Sequence, residues 1–406
     1  MEIRPILSSL RRHKITALLL VLEMALTCAI VCNAVFMINQ RLQRMQMSSG
    51  IAERELVEVQ VATIGQVPDA KARTASDIAL LRQIPGVKSA TLATQLPFAN
   101  SSWNTGIMLA PMQKSPTLNA TTYYGEGLAE VLGTQLASGR FFNADDYRDL
   151  GTVMKDHKSA PDTVIITNAL AGRLWPGENP LGKLIWLGKE NSVRVVGVVK
   201  ALIRPSLGNG DDTAQWTLIL PLRASLDEAA DYVLRTSPEQ RDEVIKAAAA
   251  ALHKADPHRV LLDKKTMQQL RMDFFRNDRA MAGLLVGVIV ALLVVTALGI
   301  VGLGSFWVAQ RRRQIGVRRA LGATRRNILR YFQTENFLLA TIGIALGMVL
   351  AYGINLFLMT KYELPRLPAE YFPIGAIALW LIGQLAVLGP AMRASAVPPV
   401  VATRSV

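Results

Sequence analysis

Gly177-Glu-Asn-Pro-Leu-Gly182-Lys183 is the stretch of this sequence that comes nearest to a phosphate-gripping loop. Such a loop aims backbone N–H groups at phosphate oxygens and closes with a Lys followed by Ser or Thr. Here Leu184 stands where the hydroxyl is needed, and Pro180 removes an amide donor from the cradle. The order is also inverted, because ALAGRLW reads as helix before it and LIWLG as strand after it, whereas the loop needs strand and then helix. The segment is a helix-to-strand turn. The four histidines (His13, His157, His253 and His258) lack metal-ligand spacing, and neither a GxSxG elbow nor HExxH occurs. Asp145-Asp146 and Asp211-Asp212 sit among polar turn residues and read as solvated. The chain reads as non-catalytic, with no metal or cofactor of its own.

The residues with interpretable chemistry are arginines. Residues 310–332, QRRRQIGVRRALGATRRNILRYF, hold eight of them and no acid, between two apolar runs. Short loops rich in Lys and Arg resist translocation, so this loop belongs on the cytoplasmic side of a membrane. Four runs reach the roughly 20 apolar residues that a span needs: 15–38, 280–309, 332–359 and 372–392. The expected order is a cytoplasmic N-terminus (1–14), span 1, an exported region (39–279), span 2, the Arg loop (310–331), span 3, a short outer loop (360–371), span 4 and a cytoplasmic tail (393–406). The first run exceeds a signal h-region of about 7–15 residues and has no clean small-x-small cleavage site, so it reads as a retained span.

Charge follows this topology. The segments placed inside carry 14 basic residues against Glu2 alone, and the rest of the chain is close to neutral, with 31 basic and 30 acidic residues. A net charge of +14 therefore marks membrane boundaries rather than a groove-reading module, which excludes nucleic acid as a partner. Glu23 inside span 1 is costly in hydrocarbon and must face a bundle interior or the interface. Cys28 and Cys32, four apart on one face of that span, read as small packing residues, and the exported region has no cysteine.

The polar segments leaving span 1 (39–52) and entering span 2 (264–279) are expected to continue the membrane helices as stalks. Between them the pattern is α/β. Residues 56–64, 76–83 and 87–95 read as strand, helix and strand; 215–220, 231–236, 238–254 and 259–263 read as strand, strand, helix and strand. These halves flank an inserted mixed α/β subdomain, about 96–212, with strands near 163–167, 183–187 and 194–199. Trp103, Trp175, Trp186 and Trp216 read as packing residues.

Within the Arg loop, Ile315, Val317, Ala320 and Leu321 lie among basic residues, Gly322 suits a helix C-terminus, and Thr324 suits the cap of the next helix. The residues alone leave two readings open: an interfacial anchor on anionic headgroups, or a helix presented to a cytoplasmic partner.

RRRQIGVRRALGATRRNILRYFQTENFLLATIGIALG closely resembles the signature of FtsX-like permease domains, and the tail PAMRASAVPPVVATR resembles that family's ending less closely. GRFFNADDY, VIITNALAGRLWPGENPLGKLIW and VRVVGVV resemble the periplasmic core domain of MacB-like transporters. The resemblance implies a permease subunit of a mechanotransmitting (type VII) ABC transporter in the cell inner membrane. It implies four membrane helices, a large periplasmic domain, and a dimer with a second permease copy, either identical or a sister chain. It also implies a separate ABC ATPase that binds ATP and Mg, since no ATPase domain precedes span 1. A periplasmic adaptor and an outer-membrane exit duct are further expected partners, beside membrane lipid. Carried over to this sequence, Arg311, Arg312, Arg313, Gln314, Ile315, Gly316, Val317, Arg318, Arg319, Ala320, Leu321 and Gly322 form the ATPase-coupling helix, with Gln314 in place of the common Glu. Glu335 matches a recurrent acid of span 3; pairing with Arg330 or Arg326 is an equal reading. The same features suit an FtsX-type regulator that drives a periplasmic partner such as a cell-wall hydrolase. A membrane sensor fits less well, for want of a cytoplasmic signalling domain.

Overall fold

The structure, a computed structural model, describes residues 14–63, 69–156, 159–188, 191–207, 213–225, 229–362 and 366–398. The N-terminal stretch with Arg4, Arg11, Arg12 and His13, the tail from 399 with Arg404, and Ile64, His157, Asp211, Asp212, Glu363 and Pro365 lie outside the described residues. The chain forms two compact units, Met1–Met45 with Asn277–Val406, and Gln46–Arg276.

The first apolar run lies in helix α1 (Lys14–Gln46). The second unit opens with strand β1 (Leu56–Thr63), helix α2 (Ala70–Arg82) and strand β2 (Val87–Ala93). Asp69 caps α2 by accepting the Ala72 N–H. An insert follows: β3 (Asn104–Ile107), β4 (Leu118–Tyr124), α3 (Leu128–Val131), β5 (Leu136–Gly139), β6 (Arg148–Asp149), α4 (Leu150–Lys155), β7 (Thr163–Thr167), α5 (Asn168–Leu174), β8 (Leu184–Trp186), β9 (Ser192–Val199), β10 (Thr217–Leu220) and β11 (Leu222–Arg223). The chain then returns through β12 (Ala229–Thr236), α6 (Arg241–Ala255), β13 (Arg259–Thr266) and α7 (Met267–Phe274).

The flanking halves interleave into one sheet of order β13-β1-β12-β2, with every neighbour antiparallel. This is the split βαβ arrangement. Val57, Val59 and Val61 of β1 alternate onto one face, where they pack with Tyr232, Leu234 and, from the helices, Leu81, Val244 and Leu252. The insert builds its own sheet of order β3-β4-β10-β7-β9-β5, with β8 paired to β9. Thr217–Leu220 corrects the sequence reading. It is a strand, but it lies between β4 and β7 of the insert, so the insert extends beyond 212 to about 223. All four of its residues are buried, as a central strand covered on both faces requires.

The stalk reading also needs correction. Helix α1 ends at Gln46 rather than 52. Gly50 has φ +77°, and a Cβ there would stand 2.0 Å from the Ala201 carbonyl oxygen, a conformation and approach that glycine permits. At the other junction, Lys264 and Lys265 belong to β13, because they continue its pairing with β1. Thr266 then starts α7 through a capping box with Gln269, and Phe275 separates α7 from the next helix.

The remaining elements are helices α8 (Arg276–Gln310), α9 (Arg312–Ala320), α10 (Arg325–Tyr362) and α11 (Tyr371–Ser395). Among the described residues, α1, α8, α10 and α11 are long and apolar enough to cross a membrane. α1 is the most enclosed of the four. Absent side chains let it approach its neighbours: a Cβ on Gly343 would meet Met24 at 2.6 Å, one on Gly347 would meet Cys28 at 2.5 Å, and one on Gly375 would meet the Cys32 sulfur at 2.5 Å. Small residues four apart are a recurrent solution for close helix packing in lipid. Buried polar side chains bridge α1 to α10, α10 to α11 and α1 to α8. Asn33 Nδ2 donates to the Ala351 carbonyl (3.1 Å), Asn336 Nδ2 to the Gly383 carbonyl (2.9 Å), and the Thr27 and Thr296 hydroxyls share a hydrogen bond of 2.9 Å.

The second unit also holds a buried ionic cluster. Arg259 Nη2 lies 2.8 Å from Asp77 Oδ2, to which the Tyr232 hydroxyl donates at 2.6 Å, and Asp256 pairs with Arg73. The Arg259 and Asp77 side chains are 3% and 4% exposed. Asp77→Ala is expected to leave the buried Arg259 guanidinium with only Asp256, 3.6 Å away and shared with Arg73, and to cost about 3 kcal/mol. Thermal unfolding of the full chain in detergent checks this, and Asp77→Ala combined with Arg259→Met should recover much of the loss.

Candidate functional site

The Arg loop folds into α9 because its two stripes of residues want different surroundings. Arg311, Ile315 and Arg319, spaced by four, lie on one face; Arg313, Val317, Ala320 and Leu321 lie on another. The helix stops in a Schellman arrangement: the Gly322 N–H donates to the Arg319 carbonyl and the Ala323 N–H to the Arg318 carbonyl, with Gly322 at φ +96°. Two residues later Thr324 starts α10, its hydroxyl accepting the Asn327 N–H at 3.2 Å.

The inner stripe ties α9 to three spans. Arg311 stands at the α8–α9 junction, outside helical geometry, and its Nη1 donates to both oxygens of Glu335 on α10, at 3.0 Å each. The two side chains are 8% and 1% exposed, and the guanidinium lies 5.6 Å from the Trp307 ring centroid. Arg319 Nη1 donates to the Ser395 and Val397 carbonyls at 2.8 and 3.0 Å, placing a cation on the C-terminal end of α11. Between these anchors Ile315 enters an apolar cluster with Val308, Ile328, Phe332, Ala391, Ala394 and Val397.

The outer stripe is free of such contacts. Val317 is 44% and Leu321 83% exposed, and Arg312, Arg313, Gln314, Arg318, Ala320 and Gly322 are exposed beside them. Arg318 also stacks over Tyr331, 4.9 Å from the ring centroid. A docking face of arginines around two aliphatic side chains is what this arrangement offers.

The coupling stretch therefore divides. Arg311, Ile315 and Gly316 are buried, and Arg319 is committed to α11, so these four hold the helix rather than forming its outer surface. Glu335 pairs with Arg311, not with Arg326 or Arg330, because those two point to solvent while Arg311 is carried into the bundle by the end of α8. Glu23 lies elsewhere: its carboxylate oxygens stand 2.6 Å from where a Cβ on Gly299 of α8 would be, one turn from the Thr27–Thr296 hydrogen bond. The Arg319 cap was not singled out from the sequence, although the four-residue spacing of Arg311, Ile315 and Arg319 carried the signal.

Removing Glu335 is expected to leave Arg311 as an unpaired buried charge. Glu335→Ala should cost about 3–5 kcal/mol, whereas joint Arg311→Met and Glu335→Leu should come close to neutral in stability. Midpoints of thermal unfolding in one detergent compare the three chains.

Comparison with known proteins covers both units. The MacB-like periplasmic core domain family matches residues 18–252, and the FtsX-like permease C-terminal family matches residues 286–399. The chain is 23% identical to the uncharacterized ABC transporter permease YknZ of Bacillus subtilis, over 99% of this chain and 98% of that protein. It is 27% identical to the macrolide export ATP-binding/permease protein MacB of Bradyrhizobium diazoefficiens, over 67% of this chain but 41% of that protein. The crystal structure of the extracellular domain of YknZ covers 51% of this chain at 18% identity, with a TM-score of 0.33. The chain thus spans nearly all of one relative and about two-fifths of the other. With four helices long and apolar enough to cross a membrane, a large α/β domain and an FtsX-like C-terminal region, the chain belongs to the MacB-like, FtsX-like family of ABC transporter permeases.

Proposed function

We propose that this permease couples ATP hydrolysis on a partner ATPase chain to movement of its large α/β domain, in the service of export. The observation that carries the reading is α9: its inner stripe is fixed to α8, α10 and α11, while its outer stripe offers Val317 and Leu321 among arginines. A partner pushing on that outer face would move three span ends together. The acid-free Arg loop supports a cytoplasmic position for this face, where an ATPase works, and an exported position for the Gln46–Arg276 unit. The names of the MacB relatives, which join an ATP-binding part to a permease part and specify macrolide export, support export as the output.

An inner-membrane location, a dimer with a second permease copy, and use of a periplasmic adaptor with an exit duct follow from the same reading. ATP and Mg would be held by the partner. Docking would take Val317 and Leu321 out of water, and an acid at either position would then be desolvated without a partner. Leu321→Asp with Val317→Asp is therefore expected to lower both co-purification of the ABC ATPase and permease-stimulated ATP hydrolysis by about tenfold or more, with thermal unfolding unchanged. Undiminished binding by this variant would sink the reading.

A further inference from the structure

Three stretches far apart in the sequence meet at one side chain of the Gln46–Arg276 unit, Arg271 on α7. Its Nη1 donates to Glu53 Oε1 at 2.5 Å and its Nη2 to the Met47 carbonyl at 2.7 Å. Its guanidinium also lies 5.2 Å from the Phe98 ring centroid and 5.8 Å from that of Phe275. Met47 is the first residue after α1, and Phe275 stands between α7 and α8. Phe98 belongs to the passage from β2 into the insert. One cation therefore touches the chain at both of its connections to the membrane unit and at an entry to the insert.

The segment leaving α1 is held by the insert itself. The Ser49 carbonyl accepts the Ile203 N–H at 3.0 Å, and Gln215 Nε2 donates to the Ser48 carbonyl at 2.8 Å. Gln215 Oε1 in turn accepts the Leu202 N–H at 2.9 Å. Ser49 is 3% exposed, and its hydroxyl donates to the same Glu53 oxygen that Arg271 engages. Glu53 thus joins the threaded segment to α7.

The aromatic side of the junction is strained and closely packed. Phe98 has φ +69°, a left-handed conformation that a bulky residue keeps only where its surroundings hold it. Phe98 is 1% exposed, and its ring centroid lies 5.5 Å from that of Phe274 and 5.7 Å from that of Phe275. A guanidinium suits this place because it is planar. Its edge can serve a carboxylate and a carbonyl at once while its face lies over a ring, which the single ammonium of Lys cannot do.

We propose that Arg271 is a clamp: it makes both connections to the membrane unit and the entry to the insert one rigid junction, so that a displacement of either connection is carried into the insert. This use of the junction rests on the coupling proposed above, whereas the clamp is a property of the chain by itself. Arg271 is a positioning residue in this scheme, since it acts through Met47, Glu53 and Phe98 and need touch neither nucleotide nor cargo.

The test is hydrogen–deuterium exchange of the full chain in nanodiscs, with no partner present, read over residues 47–53, 96–103 and 201–205. Arg271→Met is expected to speed exchange in all three segments about tenfold or more, as loss of hydrogen bonds to a charged group implies. The insert strands β7 and β9 should keep their protection. Arg271→Lys keeps the charge without the fork and should match Arg271→Met. With a partner ATPase and ATP added, Arg271→Met should hydrolyse ATP at the native rate while the ATP-dependent change of exchange over 201–205 is lost. The proposal is overturned if 201–205 keeps native exchange in Arg271→Met, if Arg271→Lys restores protection, if faster exchange spreads evenly over β7 and β9, or if the ATP-dependent change persists. Lost ATPase binding by the native chain would instead contradict the coupling, and the partner-free exchange would still decide the clamp.

Discussion

The Arg311–Glu335 pair is the contact on which the organisation of the membrane unit depends. A guanidinium and a carboxylate withdrawn from water lose several kcal/mol of solvation each, and their attraction offsets this only in good geometry. Here one nitrogen serves both carboxylate oxygens at 3.0 Å, under the face of Trp307. The pair fixes where α8 ends and α9 begins, and it fixes both against α10. Once that corner is set, the four-residue repeat carries Ile315 into the apolar cluster and Arg319 to the end of α11. What remains outside is decided by subtraction, and it is the stripe bearing Val317 and Leu321.

The same economy runs through the spans. In lipid there is little hydrophobic drive between helices, so close approach and internal hydrogen bonds must hold the bundle. Gly343, Gly347 and Gly375 allow α1 to sink against α10 and α11, and Asn33 and Asn336 place donors on backbone carbonyls across two seams. Near its opposite end from α9, the bundle has a second ion pair, Arg41 on α1 with Asp278 on α8 at 2.5 Å. The α/β unit is built on a separate logic, with a split βαβ sheet and an inserted sheet each around its own apolar core.

Much of this was legible in the sequence, for identifiable reasons. Apolar runs long enough to span a bilayer, and arginines without acids between them, register over many residues and do not depend on tertiary detail. Alternating Val57, Val59 and Val61 announced a strand with one buried face. Thr217–Leu220 was legible as a strand but not as a member of the insert's sheet, because pairing partners are set by topology rather than by local pattern. Lys264 and Lys265 looked like polar stalk residues, since an edge strand exposes side chains much as a surface helix does. The partner of Glu335 was hidden for a similar reason: Arg330 and Arg326 on its own helix lie off the three- and four-residue spacing that pairs side chains, and only the path of α8 brings in Arg311.

The central claim is that α9 moves as one body with the span ends to which it is fixed. The most direct measurement is the distance between spin labels at the exposed positions Gln314 on α9 and Asn327 on α10, by pulsed electron resonance, in the chain with the proposed partner ATPase, with and without ATP. One narrow distribution is expected, shifted by no more than about 1–2 Å between the two states. A displacement of about 5 Å, one helical turn, with Arg311 and Glu335 intact, would contradict it.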